Sequence, residues 1–418
     1  MTAHRTPGAA DPDDTSVPLD RPADGVPDVI TGPAELRVAA DRLAAGTGPV
    51  AVDTERASGY RYSQRAYLVQ LRRAGAGTVL VDPIPLGGDL TPLVTALAGT
   101  EWVLHAASQD LPCLAELDLR PASLFDTELA GRLAGYDRVA LGTLVERLLG
   151  YQLEKGHGAA DWSQRPLPAD WLNYAALDVE LLIPLRDRLE RELADAGKLA
   201  WALEEFEAVR TAPPPKARPE PWRRTSGIHR LRTPRQLAAV RALWQARDVI
   251  ARDRDLSPGR VLPDRAVIEA ALIDPPDDVE LVKLPVFRGR AQRRLAAMWA
   301  DALRTARGLP RAELPDPTPL HDGPPPPSRW ADKDPDAAAR LAAARAALTR
   351  IAAAHTLPVE NLLQPDLVRR TCWEPPATLD EPTVADVLRV GGARSWQIDL
   401  TAAALTEALH ATAAAKDV

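Results

Sequence analysis

Apolar residues in the first part of the chain fall at alternate positions or in short unbroken runs, the period of strands rather than helices. Residues 49–55 (PVAVDTE), 66–72 (AYLVQLR) and 77–82 (GTVLVD) read as three strands with short connections, hence an antiparallel meander. The pattern then alternates, with LTPLVTALAG helical, WVLH extended and SQDLPCLAELDL helical. A meander followed by alternating β and α predicts a mixed sheet with helices on its faces. From 168 to 196 the period becomes that of one long amphipathic helix, stopped by Gly197 and kinked or broken at Pro184.

Beyond residue 228 the pattern is helical throughout, interrupted by proline. The segments TAPPPKARPEP at 211–221 and LPRAELPDPTPLHDGPPPPSRW, running on to about 335, cannot continue a helix or a central strand and read as extended linkers. Residues 1–28, rich in Pro, Asp and small residues, predict a disordered tail. The resulting division is a tail at 1–28, an α/β domain at 29–210, a linker at 211–227, a helical domain at 228–307, a linker at 308–334 and a second helical domain at 335–412. ARDRDLSPGRVLPDRAVIEAALIDPP at 251–276 parallels AAHTLPVENLLQPDLVRRTCWEPP at 353–376, which predicts that the second helical domain is a drifted copy of the first.

Composition narrows the function classes. A chain of 418 residues suits two to four domains. Its two cysteines, Cys113 and Cys372, and the lack of a secretory leader predict a reducing cytoplasm without a disulfide framework. There is no Cys/His cluster for zinc, and no run near the roughly 18 apolar residues that a membrane span needs. The net charge of -7 argues at first against a nucleic-acid binder. It is segregated, however: residues 211–310 carry 20 Lys+Arg against 11 Asp+Glu, a net of +9, so the remainder holds -16.

The candidate chemistry starts at Asp53 and Glu55, which close the first strand one residue apart and so project from one face. Like charges at that spacing suit a bound cation or a solvated strand end. Asp110 opens the helix after WVLH, where the macrodipole alone would favour an acid. Tyr174 and Asp178, four apart, share one helix face, which an ordinary half-buried helix would also allow. Together, such carboxylates could hold two divalent ions about 3.5–4 Å apart, one activating a water and one stabilising the leaving oxygen of a phosphodiester. Mg²⁺ favours this all-oxygen donor set. A second Asp-Thr-Glu, at 126–128, opens a helix and reads as an N-cap, and Asp161 reads as a turn residue.

Asp-Thr-Glu on the first strand, HAASQDL around Asp110 and YAALD ending in Asp178 resemble the three motifs of the DEDD-type 3′-to-5′ exonucleases of the Tyr subclass. LEKGHGAADWSQRPLP, with Lys155, Asp161, Trp162 and Arg165, resembles ribonuclease D in particular; 228–307 resembles its HRDC domain and 335–412 a second HRDC-like copy. The resemblance implies a ribonuclease-H-like fold, two Mg²⁺ or Mn²⁺ ions, and single-stranded RNA 3′ ends, tRNA precursors among them, as substrate. It implies Asp53, Glu55 and Asp178 around the water-activating ion, Asp53 with Asp110 around the other, and Tyr174 orienting water, since a phenol of pKa near 10 is a poor base. Two departures touch substrate contacts: Arg56 stands where an aromatic is common, and Ala160 where Ser is.

Candidate RNA contacts are Lys155, Trp162, Arg165, Arg223, Arg224, Arg288, Arg290, Arg293 and Arg294, with Tyr60, Tyr62 and Tyr67 also available for stacking. For any single Arg a solvated helix face is the plainer reading. His105 reads as a core residue, and His157 lacks the spacing of a catalytic His. Two alternatives stay open: a DNA exonuclease, and a binding module with an inactive site, against which the complete acidic set argues.

Overall fold

The computed structural model describes residues 16–154, 156–214, 218–317 and 323–412. The strands are β1 (Val17–Leu19), β2 (Val29–Ile30), β3 (Thr47–Arg56), β4 (Ala66–Ala74), β5 (Gly77–Val81), β6 (Glu101–Leu104), β7 (Ser123–Asp126) and β8 (Tyr151–Leu153). Six of them form a mixed sheet in the order β2-β5-β4-β3-β6-β7, with β3, β4 and β5 antiparallel and the other pairings parallel. The predicted meander is therefore its middle.

Among the described residues eight α-helices belong to this domain: α1 (Pro33–Ala45), α2 (Thr91–Ala96), α3 (Leu111–Ala115), α4 (Thr127–Ala134), α5 (Leu141–Leu149), α6 (Ala169–Glu180), α7 (Leu182–Asp195) and α8 (Leu199–Arg210). Strand alternation sends Val50, Val52, Val69 and Leu71 into the main core with Leu36 and Leu43 of α1. The opposite face of β3, β4 and β5 is covered by α6. The buried small residues Ala175 and Ala176 let that helix lie close to Leu68 and Leu80. The long helix predicted over 168–196 is two helices parted at Leu181, because the ring nitrogen of Pro184 has no hydrogen for the carbonyl of Glu180.

Two expectations are corrected. The first concerns the predicted tail, 1–28, of which residues 1–15 lie outside the described residues. Residues 16–28 are not a loose tail: β1 pairs in parallel with β8, the carbonyl of Asp20 accepts from Asn173 at 2.7 Å, and Asp24 meets Arg72 at 3.1 Å. Pro18 fits there because a two-stranded ribbon leaves one edge of the strand unpaired. The second concerns the linkers, which are shorter than their proline content suggests. Trp222 is buried in the core of the middle domain, and Trp330 is buried against Trp373 at 4.9 Å between ring centroids. A buried indole outweighs the local preference of proline for extended chain.

The middle domain begins with α9 (Pro234–Asp253) and α10 (Pro258–Val261), followed by the helix Asp264–Ile273. The last domain repeats this order with Pro335–Ala354, Val359–Leu362 and Pro365–Trp373. In both, the long helix ends at a non-glycine residue of positive φ, Asp255 at 47° and Thr356 at 50°. Both of these turns face the first domain. Asp255 accepts from the backbone N–H of Ser63 at 2.8 Å, and the carbonyl of Thr356 accepts from Lys198 at 3.4 Å. The last domain also shares one continuous apolar core with the first, whereas the middle domain keeps its own. Among the described residues no helix is long and apolar enough to cross a membrane.

Candidate active site

The site lies where β3 passes beneath α6. Extended backbone puts Asp53 and Glu55 on the same face of β3, and one helical turn puts Tyr174 and Asp178 on the face of α6 that meets it. Asp53, Glu55 and Asp178 each offer a carboxylate oxygen, and these oxygens lie within 4.8 Å of one another. The Tyr174 hydroxyl neighbours Asp178 and opposes the rise that burial gives its carboxyl.

Asp110 stands at the rim of this cluster. It occupies the N-terminal end of α3 without capping it; its carboxylate instead accepts from the Thr54 hydroxyl at 2.6 Å and lies 3.7 Å from the Arg56 guanidinium. Thr54, between the two acids of β3, therefore ties their strand to the fourth acid. Sequence reasoning missed this role of Thr54. The signal was a hydroxyl residue at the strand end, but its partner becomes visible only with the parallel pairing of β3 and β6.

The site is electrostatically frustrated without a cation. Burial, then the charges of Asp110, Asp178 and Glu55, raise the Asp53 carboxyl well above the ordinary range. Burial and the charges of Asp178 and Asp110 push Glu55 up to about 9, and burial with the Asp110 charge pushes Asp178 up to about 7. Asp110 is also raised by burial, though the Thr54 hydrogen bond and Arg56 oppose the shift. Three converging carboxylates without His or Cys fit a hard divalent metal ion.

A stability measurement follows from these shifts. Carboxyls with folded pKa values above their unfolded ones retain protons in the folded state, so their contribution is fully present below about pH 4 and lost as pH rises through about 7 and 9. In chelator the melting temperature should fall across this window, and saturating Mn²⁺ should remove the decline. A flat profile in chelator from pH 5 to 9 would mean that the acids do not crowd one another.

The other sequence candidates separate clearly. Trp162 is fully buried and donates its indole N–H to the carbonyl of His157 at 3.2 Å, so it is a core residue and not a stacking platform. Arg165 is clamped by both oxygens of Asp82, at 2.5 and 2.9 Å, and by the carbonyls of Trp162, Gln164 and Tyr67. With its donors consumed it holds the segment before α6 to the sheet, which corrects its assignment to RNA. Lys155 lies outside the described residues. Tyr67 is buried, Tyr62 donates to Asp248 at 3.0 Å, and the Tyr60 ring lies under Arg260 at 4.0 Å. The last two tyrosines dock the middle domain, and none of the three is free to stack.

Arg223 is also occupied, by Glu220 at 2.5 Å and the carbonyl of Asp316 at 3.0 Å. Arg224, Arg290, Arg293 and Arg294 are exposed; exposed Arg288 donates to the carbonyl of Lys283 at 3.0 Å. Asp126 accepts from the N–H groups of Glu128, Leu129, Ala106 and Ala107, and Asp161 accepts from Ser163, so both are structural. Burial lowers the pKa of His105 to about 4, and its Nδ1 pairs with Thr127 at 2.9 Å. The His157 ring meets Tyr174 edge-on at 5.7 Å between centroids, which makes it a neighbour of the site that spacing alone did not suggest.

Residues 27–194 match the model of 3'-5' exonuclease domains, and residues 236–303 match the model of HRDC domains. Residues 323–409 match a separate model, the 3' to 5' exonuclease C-terminal domain, so the kinship of the last domain with HRDC rests on the repeated elements alone. Fold and site thus define a 3′-to-5′ exonuclease carrying an HRDC domain. Ribonuclease D of Granulibacter bethesdensis is 35% identical over 278 residues, 64% of this chain and 68% of that protein. Ribonuclease D of Acidiphilium cryptum is 35% identical over 292 residues, 67% and 72% of the two chains. Among solved structures, RNase D of Escherichia coli superposes with a TM-score of 0.66 at 27% identity, covering 91% of this chain and 98% of that one. A protein from Bifidobacterium adolescentis reaches 0.87 at 38% identity, covering 94% and 99%. The chain belongs to the ribonuclease D family and is a 3′-to-5′ exoribonuclease.

Proposed function

We propose that this enzyme removes nucleotides one at a time from single-stranded 3′ ends of structured RNA precursors, tRNA among them, releasing 5′-mononucleotides. The observation that carries this reading is the convergence of Asp53, Glu55 and Asp178 within 4.8 Å beside Tyr174, on an exonuclease domain. RNase D of Escherichia coli is an exoribonuclease involved in structured RNA processing, which supports the substrate class.

In this reading Asp53, Glu55 and Asp178 hold one divalent ion, and Asp53 with Asp110 a second, Mg²⁺ or Mn²⁺. When bound, the ions supply Lewis-acid stabilisation of the phosphodiester and lower the pKa of water. The protein's own part is positioning. Thr54 and Arg56 fix Asp110 at the rim, and the Tyr174 hydroxyl aligns the attacking water. Buried, unpaired Cys113 and Cys372 agree with a reducing compartment, and we place the activity in the cytoplasm. The three-domain division at 29–210, 228–307 and 335–412 is retained, extended to take in Trp222 and Trp330.

The exposed guanidinium groups of Arg290, Arg293 and Arg294 are assigned to the RNA backbone. End-labelled single-stranded RNA and DNA, incubated with Mg²⁺, Mn²⁺ or chelator, test the reading directly. RNA should shorten from its 3′ end in either metal, DNA more slowly, and chelator should stop both. Replacing the three arginines by alanine should weaken RNA binding and flatten its salt dependence by about 0.7 in log–log slope per lost contact. An unchanged slope would remove these arginines from the interface, and preference for DNA would favour the DNA-exonuclease alternative.

A further inference from the structure

Gln70, in the middle of β4, is fully buried, yet among the described residues neither its amide nitrogen nor its amide oxygen has a hydrogen-bond partner. In the antiparallel register it stands directly opposite Asp53, and on its other side opposite Leu80. Directly paired residues project from the same face of the sheet, with Cβ atoms about 4.5–5.5 Å apart. Gln70 therefore lies beside Asp53 beneath α6, on the sheet face that carries the apolar cluster of Leu68, Leu80, Ala175 and Ala176. A core needs no amide there. Leaving a buried amide unpaired is unfavourable compared with an apolar side chain of the same shape, so a methionine or leucine would suit the fold better.

We propose that Gln70 is a positioning residue of the cation site, its amide N–H₂ donating to Asp53 when that carboxylate engages a divalent ion. A carboxylate that binds a cation through one oxygen leaves lone pairs on the other, and a donor held on the neighbouring strand fixes its orientation and strengthens it as a ligand. The unpaired amide is thus a preformed half of the loaded site. The sheet register, which sets Gln70 against Asp53 and not against Glu55, directs it to the one acid assigned to both ions. This inference rests on the reading of the cluster as a divalent-cation site.

The test uses the full chain, wild type and Gln70→Met, with Mn²⁺ as the probe. Thermal unfolding is followed in chelator and across a Mn²⁺ titration, and the dissociation constant is measured by calorimetry. In chelator the variant should melt at or above the wild-type temperature. Its Kd for Mn²⁺ should be weaker by about 10- to 100-fold, the usual effect of removing an outer partner of a metal ligand, and its Mn²⁺-induced rise in melting temperature should shrink accordingly. A variant that melts below wild type in chelator would reveal a structural partner and overturn the proposal. So would wild-type Mn²⁺ affinity in the variant, which would leave the cation site itself standing. A wild-type protein whose melting temperature ignores Mn²⁺ would overturn the cation reading and this inference with it.

Discussion

Asn in place of Asp53 is expected to cut hydrolysis to a small residue and, in chelator, to make the protein more stable. Asp53 is flanked by Glu55 on its own strand and Asp178 from α6, with Asp110 close enough to raise its pKa. Asn has the same shape and can still accept through its carbonyl, so packing against α6 is kept. It carries no charge, so the repulsion that raises the neighbouring carboxyls is relieved and the folded state gains relative to the unfolded one. The melting temperature in chelator should therefore rise, most at pH 8–9, where the wild-type acids are forced toward ionisation. Mn²⁺ should stabilise the variant far less than wild type. Lewis-acid stabilisation worth several kcal/mol, at roughly tenfold per 1.4 kcal/mol, puts the loss of turnover on the order of 10³-fold. Circular dichroism, melting curves with and without Mn²⁺, and release of labelled mononucleotide measure all three effects. Retained turnover would dismiss Asp53 as a metal ligand, and a lower melting temperature in chelator would mean that the carboxylate has a structural partner.

Much of this site was legible because its chemistry follows local periodicity. A two-residue spacing on a strand and a four-residue spacing on a helix state which side chains share a face, so Asp53 with Glu55 and Tyr174 with Asp178 could be paired before any tertiary contact was known. The meander was legible for the same reason. What depends on register was not. Thr54 reaches Asp110 across 56 residues of chain, and Gln70 meets Asp53 only through strand pairing. Nor does residue type separate binding from packing. Trp162 and Arg165 have the chemistry of RNA contacts, and they became structural when one packed into the apolar cluster with Ala175 and Ala176 of α6 and the other met the carboxylate of Asp82. Tyr60 and Tyr62, which dock the middle domain, and Trp222, inside that domain's core, tell the same story. Proline content misplaced the boundaries because it reports local backbone preference, whereas the indoles of Trp222 and Trp330 are held by cores assembled from distant segments.

Phe in place of Tyr174 is expected to separate water positioning from ion binding. The ring packs between the sheet and the 156–161 loop, edge-on to His157 and close to Gly158, where an added Cβ would stand 3.5 Å from the phenol oxygen. Phe preserves that packing and removes only the hydroxyl. Burial, then the charges of Asp178, Glu55 and Asp53, raise the phenol above its ordinary pKa near 10, so it stays protonated across the working range. It cannot serve as a base there, but it can donate one hydrogen bond and accept another, which is what alignment of a water requires. Loss of that alignment should lower kcat by about 10- to 100-fold, at or below the lower end of the range for a positioned acid or base. The Kd for Mn²⁺ should change by less than about threefold, because Asp178 loses a neighbouring hydroxyl but keeps its charge and its place on α6. The pH profile of kcat should be lowered without changing shape, since no ionisation of Tyr174 contributes to it. If Mn²⁺ affinity fell in parallel with kcat, the phenol would be acting by holding Asp178 as a ligand, and the alignment of water would have to come from another group.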